Sequence, residues 1–206
     1  MKKHTVITYD FDELSDDAKE TAIDTYRDIN VDYDGWSENT LDYHKEELKR
    51  LGFYQPEIGF TGFWNQGDGA SFTCKEIDLP LLMEKLEITS QYKLVYDLLL
   101  TGDLSVNAGL RQMNTSYLHS LTVVFKLEME ELYQNDMTDD EYYPYQSTIN
   151  KQIEELRDYL ENWRYDICQD IYISLRNDYE DCTSDDSIAE TLRINEYEFT
   201  DDGKMY

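Results

Sequence analysis

The sequence has little positive charge and few cysteines, and each scarcity excludes a class of protein. Eighteen Lys and Arg stand against 45 Asp and Glu in 206 residues, a formal net charge of −27. Proteins that bind nucleic acid or anionic membranes through their overall field need a basic face, so we expect neither partner. The three cysteines, Cys74, Cys168 and Cys182, have no CxxC spacing. Such a set fits a reducing cytoplasm better than a disulfide framework.

Long apolar runs are also missing. The longest apolar stretch, near residues 94–100, is interrupted by Asp97, whereas a membrane-spanning helix needs roughly 18 or more apolar residues in a row. The N-terminus has neither the apolar core nor the cleavage site of a secretory signal. We therefore expect a soluble protein located in the cytoplasm.

What the sequence has in abundance is aromatic side chains. It contains 18 Tyr, 7 Phe and 3 Trp, and 40% of its residues are hydrophobic. An acidic disordered tail would be poor in aromatics, and a chain of this length can bury one sizeable core. We therefore expect residues 1–206 to form a single folded domain.

Helical periodicity and capping residues predict five helices. Ser15, Ser37 and Ser184 are typical N-cap residues, and Gly52 is a typical helix terminator. The clearest element is a long amphipathic helix within residues 145–178, because apolar residues recur there at spacings of three or four. The predicted helices cover residues 16–29, 38–51, 79–100, 145–178 and 185–192, and an acidic linker near 134–143 precedes the long one.

Alternating apolar residues and glycine-rich turns predict antiparallel hairpins between the helices. One lies within residues 57–77 and bends at the sequence WNQGDGA, and a second joins residues 104–112 to 117–129. Residues 5–9 and 197–200 are typical of short strands. Helices and antiparallel hairpins in mixed order predict the α+β class, with a sheet packed against helices.

The glycine-rich bend is a candidate ligand-binding site. Four glycines in eleven residues allow another molecule to approach the backbone closely. The residues that could line such a site are Trp64, Asn65, Gln66, Asp68 and Ser71. The alternative is a tight hairpin in which Asp68 and Gln66 bind their own turn.

A second segment partly matches a calcium-binding loop. Asn30, Asp32, Asp34 and Glu38 occupy ligand positions and glycine stands at position 6, but Leu41 stands where the closing Glu belongs. We therefore expect an ordinary turn and no metal or cofactor. The chain also has no HExxH and no GxSxG motif, so nothing in it indicates an enzyme.

The acidity itself is the third candidate feature. Because duplex DNA presents about one charge per 1.7 Å of axis, a rigid carboxylate array can occupy the basic groove of a nucleic-acid-binding protein. On the long helix and its linker the candidate partner-binding residues are Asp139, Asp140, Glu141, Glu154, Glu155, Asp158, Glu161 and Asp166. The alternative is a well-solvated surface without a partner.

Two segments carry a family resemblance. GFTGFWNQGDGASFTC (residues 59–74) and YEDCTSDDSIAETLRINEYEFTDDGK (residues 179–204) resemble a widespread group of mostly uncharacterised proteins encoded in phage and prophage genomes. That resemblance implies a phage origin and no particular reaction; some members of the group carry antitoxin labels.

Together these observations favour a counter-defence protein. We expect it to bind and inhibit a host defence protein with a basic nucleic-acid-binding groove, such as a restriction or CRISPR-type nuclease, in the host cytoplasm. Two alternatives remain open: a module that binds a nucleotide signal or other small molecule at the glycine-rich bend, and an antitoxin that neutralises a cognate toxin.

Overall fold

Short antiparallel strand pairs and helices alternate along the chain. The computed structural model describes residues 6–113, 117–133 and 138–206, and within these ranges the fold is α+β, as predicted. The helices are α1 Asp16–Thr25, α2 Glu38–Arg50, α3 Leu79–Lys85, α4 Lys93–Thr101, α5 Asp139–Cys182 and α6 Asp185–Ile194. The strands are β1 Tyr9–Asp10, β2 Phe53–Tyr54, β3 Glu57–Thr61, β4 Gly69–Thr73, β5 Glu76–Ile77, β6 Leu104–Gln112, β7 Val123–Leu132 and β8 Glu198–Phe199.

The chain separates into two compact units. Unit 1 combines the N-terminal segment up to Thr40 with Ser174–Tyr206, and unit 2 is Leu41–Ile173. The expectation of one domain over residues 1–206 stays a prediction. In the described part of the chain, no helix is both long enough and apolar enough to cross a membrane.

Unit 1 is built from residues far apart in sequence. Strand β1 pairs antiparallel with β8, and Phe11 meets Phe199 edge to face with ring centroids 6.1 Å apart. Helices α1 and α6 begin at serine caps, Ser15 and Ser184, whose hydroxyls accept hydrogen bonds from backbone N–H groups of the first turn. The core they share is Phe11, Leu14, Ala18, Ala22, Ile188, Ala189, Leu192 and Phe199.

A glycine holds the C-terminal turn of unit 1 against α1. Gly203 has a φ of +82°, and a Cβ built on it would lie 2.2 Å from the carbonyl oxygen of Ala18. Only glycine fits both the left-handed backbone and this approach. The turn at residues 201–203 is therefore part of the packed structure of this unit.

The described residues of unit 2 form three strand pairs: β2 with β5, β3 with β4, and β6 with β7. The hairpin of β3 and β4 runs in register from Glu57–Thr73 to Thr61–Gly69, so the bend predicted at residues 64–70 is confirmed. An isolated bridge between Cys74 and Leu110 links the chain just after β4 to β6.

The long helix α5 supplies the apolar side of unit 2. Ile149, Ile153, Leu156 and Leu160 are buried along one stripe, as the periodicity predicts. Trp163 lies half-buried on the same side and stacks on Phe53 with centroids 5.8 Å apart. The stripe differs from the prediction at two buried positions, which are Arg164 and Cys168.

The helix predicted over residues 79–100 is two helices. Helix α3 ends because Glu87 adopts a left-handed conformation, with φ of +57°. The N–H of Ile88 donates to the carbonyl of Met83 at 3.0 Å and that of Glu87 to Glu84 at 3.1 Å, the hydrogen bonds of a Schellman motif. Glycine is the usual residue at this position, so the sequence gives no sign of the break.

Other boundaries also differ from prediction. Helix α5 begins at Asp139 and not near 145, so residues 139–143 of the predicted linker are helical, while 134–137 lie outside the described residues. Strand β7 begins at Val123 because a short 3-10 turn, capped by His119, occupies Ser120–Thr122. Strand β1 begins at Tyr9; of the predicted strand 5–9, residue 5 is not described.

Candidate functional site

The glycine-rich bend is held by its own aspartate. The Asp68 carboxylate accepts hydrogen bonds from the backbone N–H groups of Trp64 and Asn65 at 2.9 and 2.7 Å. Gly62, with φ of +24°, lies so close that a Cβ there would be 2.7 Å from the same carboxylate. Asp68 therefore binds its own turn, as the tight-hairpin alternative predicts for this residue.

The remaining candidate residues of the bend lie in two different environments. Trp64, Asn65 and Gln66 are exposed at the tip, and the Trp64 side chain is 67% exposed. Ser71 is buried within β4. The structure therefore brings three of the five residues to one surface, and ligand binding by the bend stays a prediction.

In the segment that partly matches a calcium-binding loop, the Asn30 side chain forms hydrogen bonds within the protein. The Asn30 side-chain amide donates to the carbonyl of Cys182 at 3.0 Å, and its oxygen accepts from the Thr191 hydroxyl at 2.9 Å. The side chain of Asp34 lies outside the described residues. Among those described, no group of three or more His, Cys, Asp or Glu is arranged to hold a metal ion.

The predicted carboxylates of α5 share one outward face. Glu154, Glu155, Asp158 and Asp166 are exposed and, at about 100° per residue, fall within an arc of roughly 120° opposite the buried stripe. They cover about 18 Å of helix axis. Two of them form ion pairs: the nitrogen–oxygen distance is 3.6 Å between Lys151 and Glu155, and 3.1 Å between Arg157 and Asp158.

Glu161 has a different environment from its neighbours. Its carboxylate accepts a hydrogen bond from the backbone N–H of Phe125 at 3.1 Å, and pairs with Arg164 at 2.5 Å. The Arg164 side chain is only 2% exposed and also donates to the carbonyl of Ser120. This ion pair fastens β7 and the preceding turn to α5, so the Glu161 carboxylate is already committed to the fold.

The predicted linker residues lie at the beginning of α5. Glu141 accepts hydrogen bonds from the N–H and the hydroxyl of Thr138, at 3.1 and 2.9 Å. Those two bonds hold the pKa of Glu141 below its usual value. Asp140 is exposed, and the side chain of Asp139 lies outside the described residues. Glu141 therefore has a capping role, which its position three residues after a threonine could have revealed.

Of the two units, unit 1 has the denser uncompensated charge, and none of the predicted partner-binding carboxylates lies in it. Over its two segments the sequence has 21 Asp or Glu and seven Lys or Arg. Fourteen exposed carboxylates of this unit make no ion pair with a described cation. They are Asp10, Glu13, Asp16, Asp17, Glu20, Asp28, Asp32, Glu38, Asp181, Asp186, Glu190, Glu196, Glu198 and Asp201. The two segments of unit 1 are 133 residues apart, and each is acidic by itself: residues 1–40 have 11 Asp or Glu and four Lys or Arg, and residues 174–206 have ten and three.

Five cavities differ in the charge of their linings. Two in unit 1, of about 380 and 450 Å³, are net negative, as are two in unit 2, of about 480 and 570 Å³. The fifth, of about 300 Å³, is lined by Lys75 and Arg111 with Glu57 as the one carboxylate. Of these five, it alone has a net positive lining.

A family model covers most of the molecule. The model described as Domain of unknown function (DUF8835) matches residues 36–185, which include all of unit 2. The chain belongs to this family. No curated protein and no solved structure matches this DUF8835 chain.

Proposed function

We propose that this DUF8835 protein is a phage counter-defence protein that inhibits a host nucleic-acid-processing protein by occupying its basic groove. The observation that supports this is the set of fourteen exposed carboxylates in unit 1 without a cationic partner. These carboxylates repel one another, and that repulsion destabilises a compact fold. Binding to a basic groove would relieve the repulsion, and the opposite charges would make association fast and salt-dependent.

The outward face of α5 in unit 2 is a second candidate surface, considered by itself. Glu154 and Asp166 are exposed and have no ion pair with a described residue. Alone they are sparse, since DNA would present about ten charges over the same 18 Å. We therefore assign the larger contribution to unit 1, and we leave Glu161 and Glu141 out of the contact surface.

The test compares three sets of four neutralising substitutions with equal change in net charge. The first is Glu20→Gln, Glu190→Gln, Glu198→Gln and Asp201→Asn in unit 1. The second is Glu154→Gln, Glu155→Gln, Asp158→Asn and Asp166→Asn on α5. The control neutralises ion-paired carboxylates of unit 2 that are exposed or partly exposed, by Glu46→Gln, Glu47→Gln, Asp97→Asn and Glu128→Gln.

The assay is affinity capture from bacterial cells at 50 and 300 mM salt, followed by competition with duplex DNA. We expect a nucleic-acid-binding protein that DNA displaces and that high salt releases. The unit 1 set should abolish capture, the α5 set should weaken it, and the control set should not. Capture that persists at high salt, or that all three sets leave unchanged, would refute the proposal.

The antitoxin alternative uses the same kind of contact with a different partner. Its distinguishing observation is a toxin gene adjacent to the gene of this protein, and a product that capture would identify. It remains a prediction from the sequence resemblance.

A further inference from the structure

We propose that the net-positive cavity of unit 2 is a binding site for a small phosphate-bearing molecule, held by Lys75 and Arg111. This site is separate from the acidic surface of the proposed function. It lies where the chain after β4 bridges to β6, and none of the predicted site residues lines it.

The bridge geometry directs the two cations to the same side. Backbone hydrogen bonds of 3.2 and 3.0 Å join Cys74 and Leu110, and both side chains are buried. The next residues, Lys75 and Arg111, are both exposed, and both line the cavity. In an antiparallel bridge they are diagonal neighbours, roughly 7–8 Å apart. Both long side chains can reach an anion between them.

Gly109 lets β6 approach the backbone of the bridging segment closely. A Cβ on Gly109 would lie 2.9 Å from the carbonyl oxygen of Lys75, so only glycine allows this approach, which fixes the backbone of Lys75 against β6. The cavity there measures about 300 Å³, at the lower end of the range of small-molecule sites.

Charge is the observation that indicates the ligand. Twelve of the sixteen described Lys and Arg residues form ion pairs, as expected where carboxylates outnumber cations 45 to 18. Lys75 and Arg111 form none with a described residue, although Glu57 lines the same cavity. Two uncompensated cations side by side in so acidic a chain provide a site for an anion.

The lining favours a phosphate carried by an organic group. The guanidinium of arginine matches phosphate oxygens with two parallel donors, and lysine adds a point charge. Tyr54 provides a 61% exposed ring at the cavity wall, on which a planar group can stack. Next to it, Gln55 has a φ of +48°, a conformation that is uncommon for a residue other than glycine and recurs at binding sites.

The experiment is calorimetric titration of the whole protein with adenosine 5′-monophosphate, inorganic phosphate and adenosine. We expect saturable binding of the monophosphate, weaker binding of phosphate, and no detectable binding of adenosine. The Lys75→Gln/Arg111→Gln double variant should lose at least tenfold in affinity for the monophosphate. Tyr54→Ala should lower the affinity for the monophosphate several-fold and leave the affinity for inorganic phosphate unchanged.

The matched control is Lys85→Gln, which removes a charge from another exposed lysine without an ion pair to a described residue and outside this cavity. Its affinity should stay within twofold of the wild type. Circular dichroism of each variant shows whether the fold is intact, and the single variants replace the double variant if it unfolds. Equal binding of adenosine and its monophosphate, absence of saturable binding, or unchanged binding in the cation variants would each overturn the proposal.

Discussion

Replacement of Glu161 by alanine should destabilise unit 2 although Glu161 is on the predicted acidic face. The substitution leaves the Arg164 guanidinium, only 2% exposed, without its carboxylate, and leaves the N–H of Phe125 without an acceptor. Removal of one partner from a buried ion pair costs about 3–5 kcal/mol. Water reaches Glu161, which is 41% exposed, so we reduce the expected cost to about 2 kcal/mol.

The assay is urea denaturation followed by tryptophan fluorescence, since Trp64 and Trp163 both lie in unit 2. In a thermal scan the same loss corresponds to about 4–8 °C for a chain of this length. The matched control is Glu155→Ala, which breaks an exposed pair with Lys151 on the same helix and should cost no more than about 0.5 kcal/mol. Equal effects of the two substitutions would refute the structural role of Glu161.

Three further measurements test other parts of the structure. Glu87→Gly should raise the free energy of unfolding by about 0.5–1 kcal/mol, because glycine adopts the left-handed conformation without strain; a loss of stability in urea would contradict the Schellman end of α3. The pKa of Asp202 is lowered to about 2 by hydrogen bonds from Lys204 and Thr200, so its stabilising contribution is complete above about pH 4 and is lost as the pH falls toward 2. Carboxyl NMR should show that midpoint and its return toward the usual value in Lys204→Met. Burial raises the pKa of the Cys74 thiol to about 11, so iodoacetamide at pH 8 should label Cys182, which is partly exposed, before Cys74; the reverse order would contradict this burial.

Local rules predicted the elements whose stabilising groups are close in sequence. Ser15 and Ser184 begin helices as expected, and Gly52, with φ of +98°, follows the end of α2. The hairpin bend is where the glycines place it. Each of these features depends on interactions between residues only a few positions apart, so a local sequence pattern is enough to predict it.

The errors arose where distant groups or unusual residues decide the outcome. Glu87 ends α3 in a left-handed conformation that is usually adopted by glycine. Arg164 can be buried because its guanidinium pairs with Glu161 and donates to the carbonyl of Ser120. Two acidic segments far apart in sequence form unit 1, and no local pattern shows that they combine. The cavity of Lys75 and Arg111 depends on a bridge between strands that no local pattern reveals.

Unit 1 is formed by both ends of the described chain, and this has a consequence for synthesis on the ribosome. Phe199, which shares a core with Phe11 and Ala22, is synthesised 199 − 22 = 177 residues after Ala22. At 5–20 residues per second the delay is roughly 10–35 s. During that time the early segment must stay unaggregated with its apolar residues uncovered, and its many carboxylates would keep nascent chains apart.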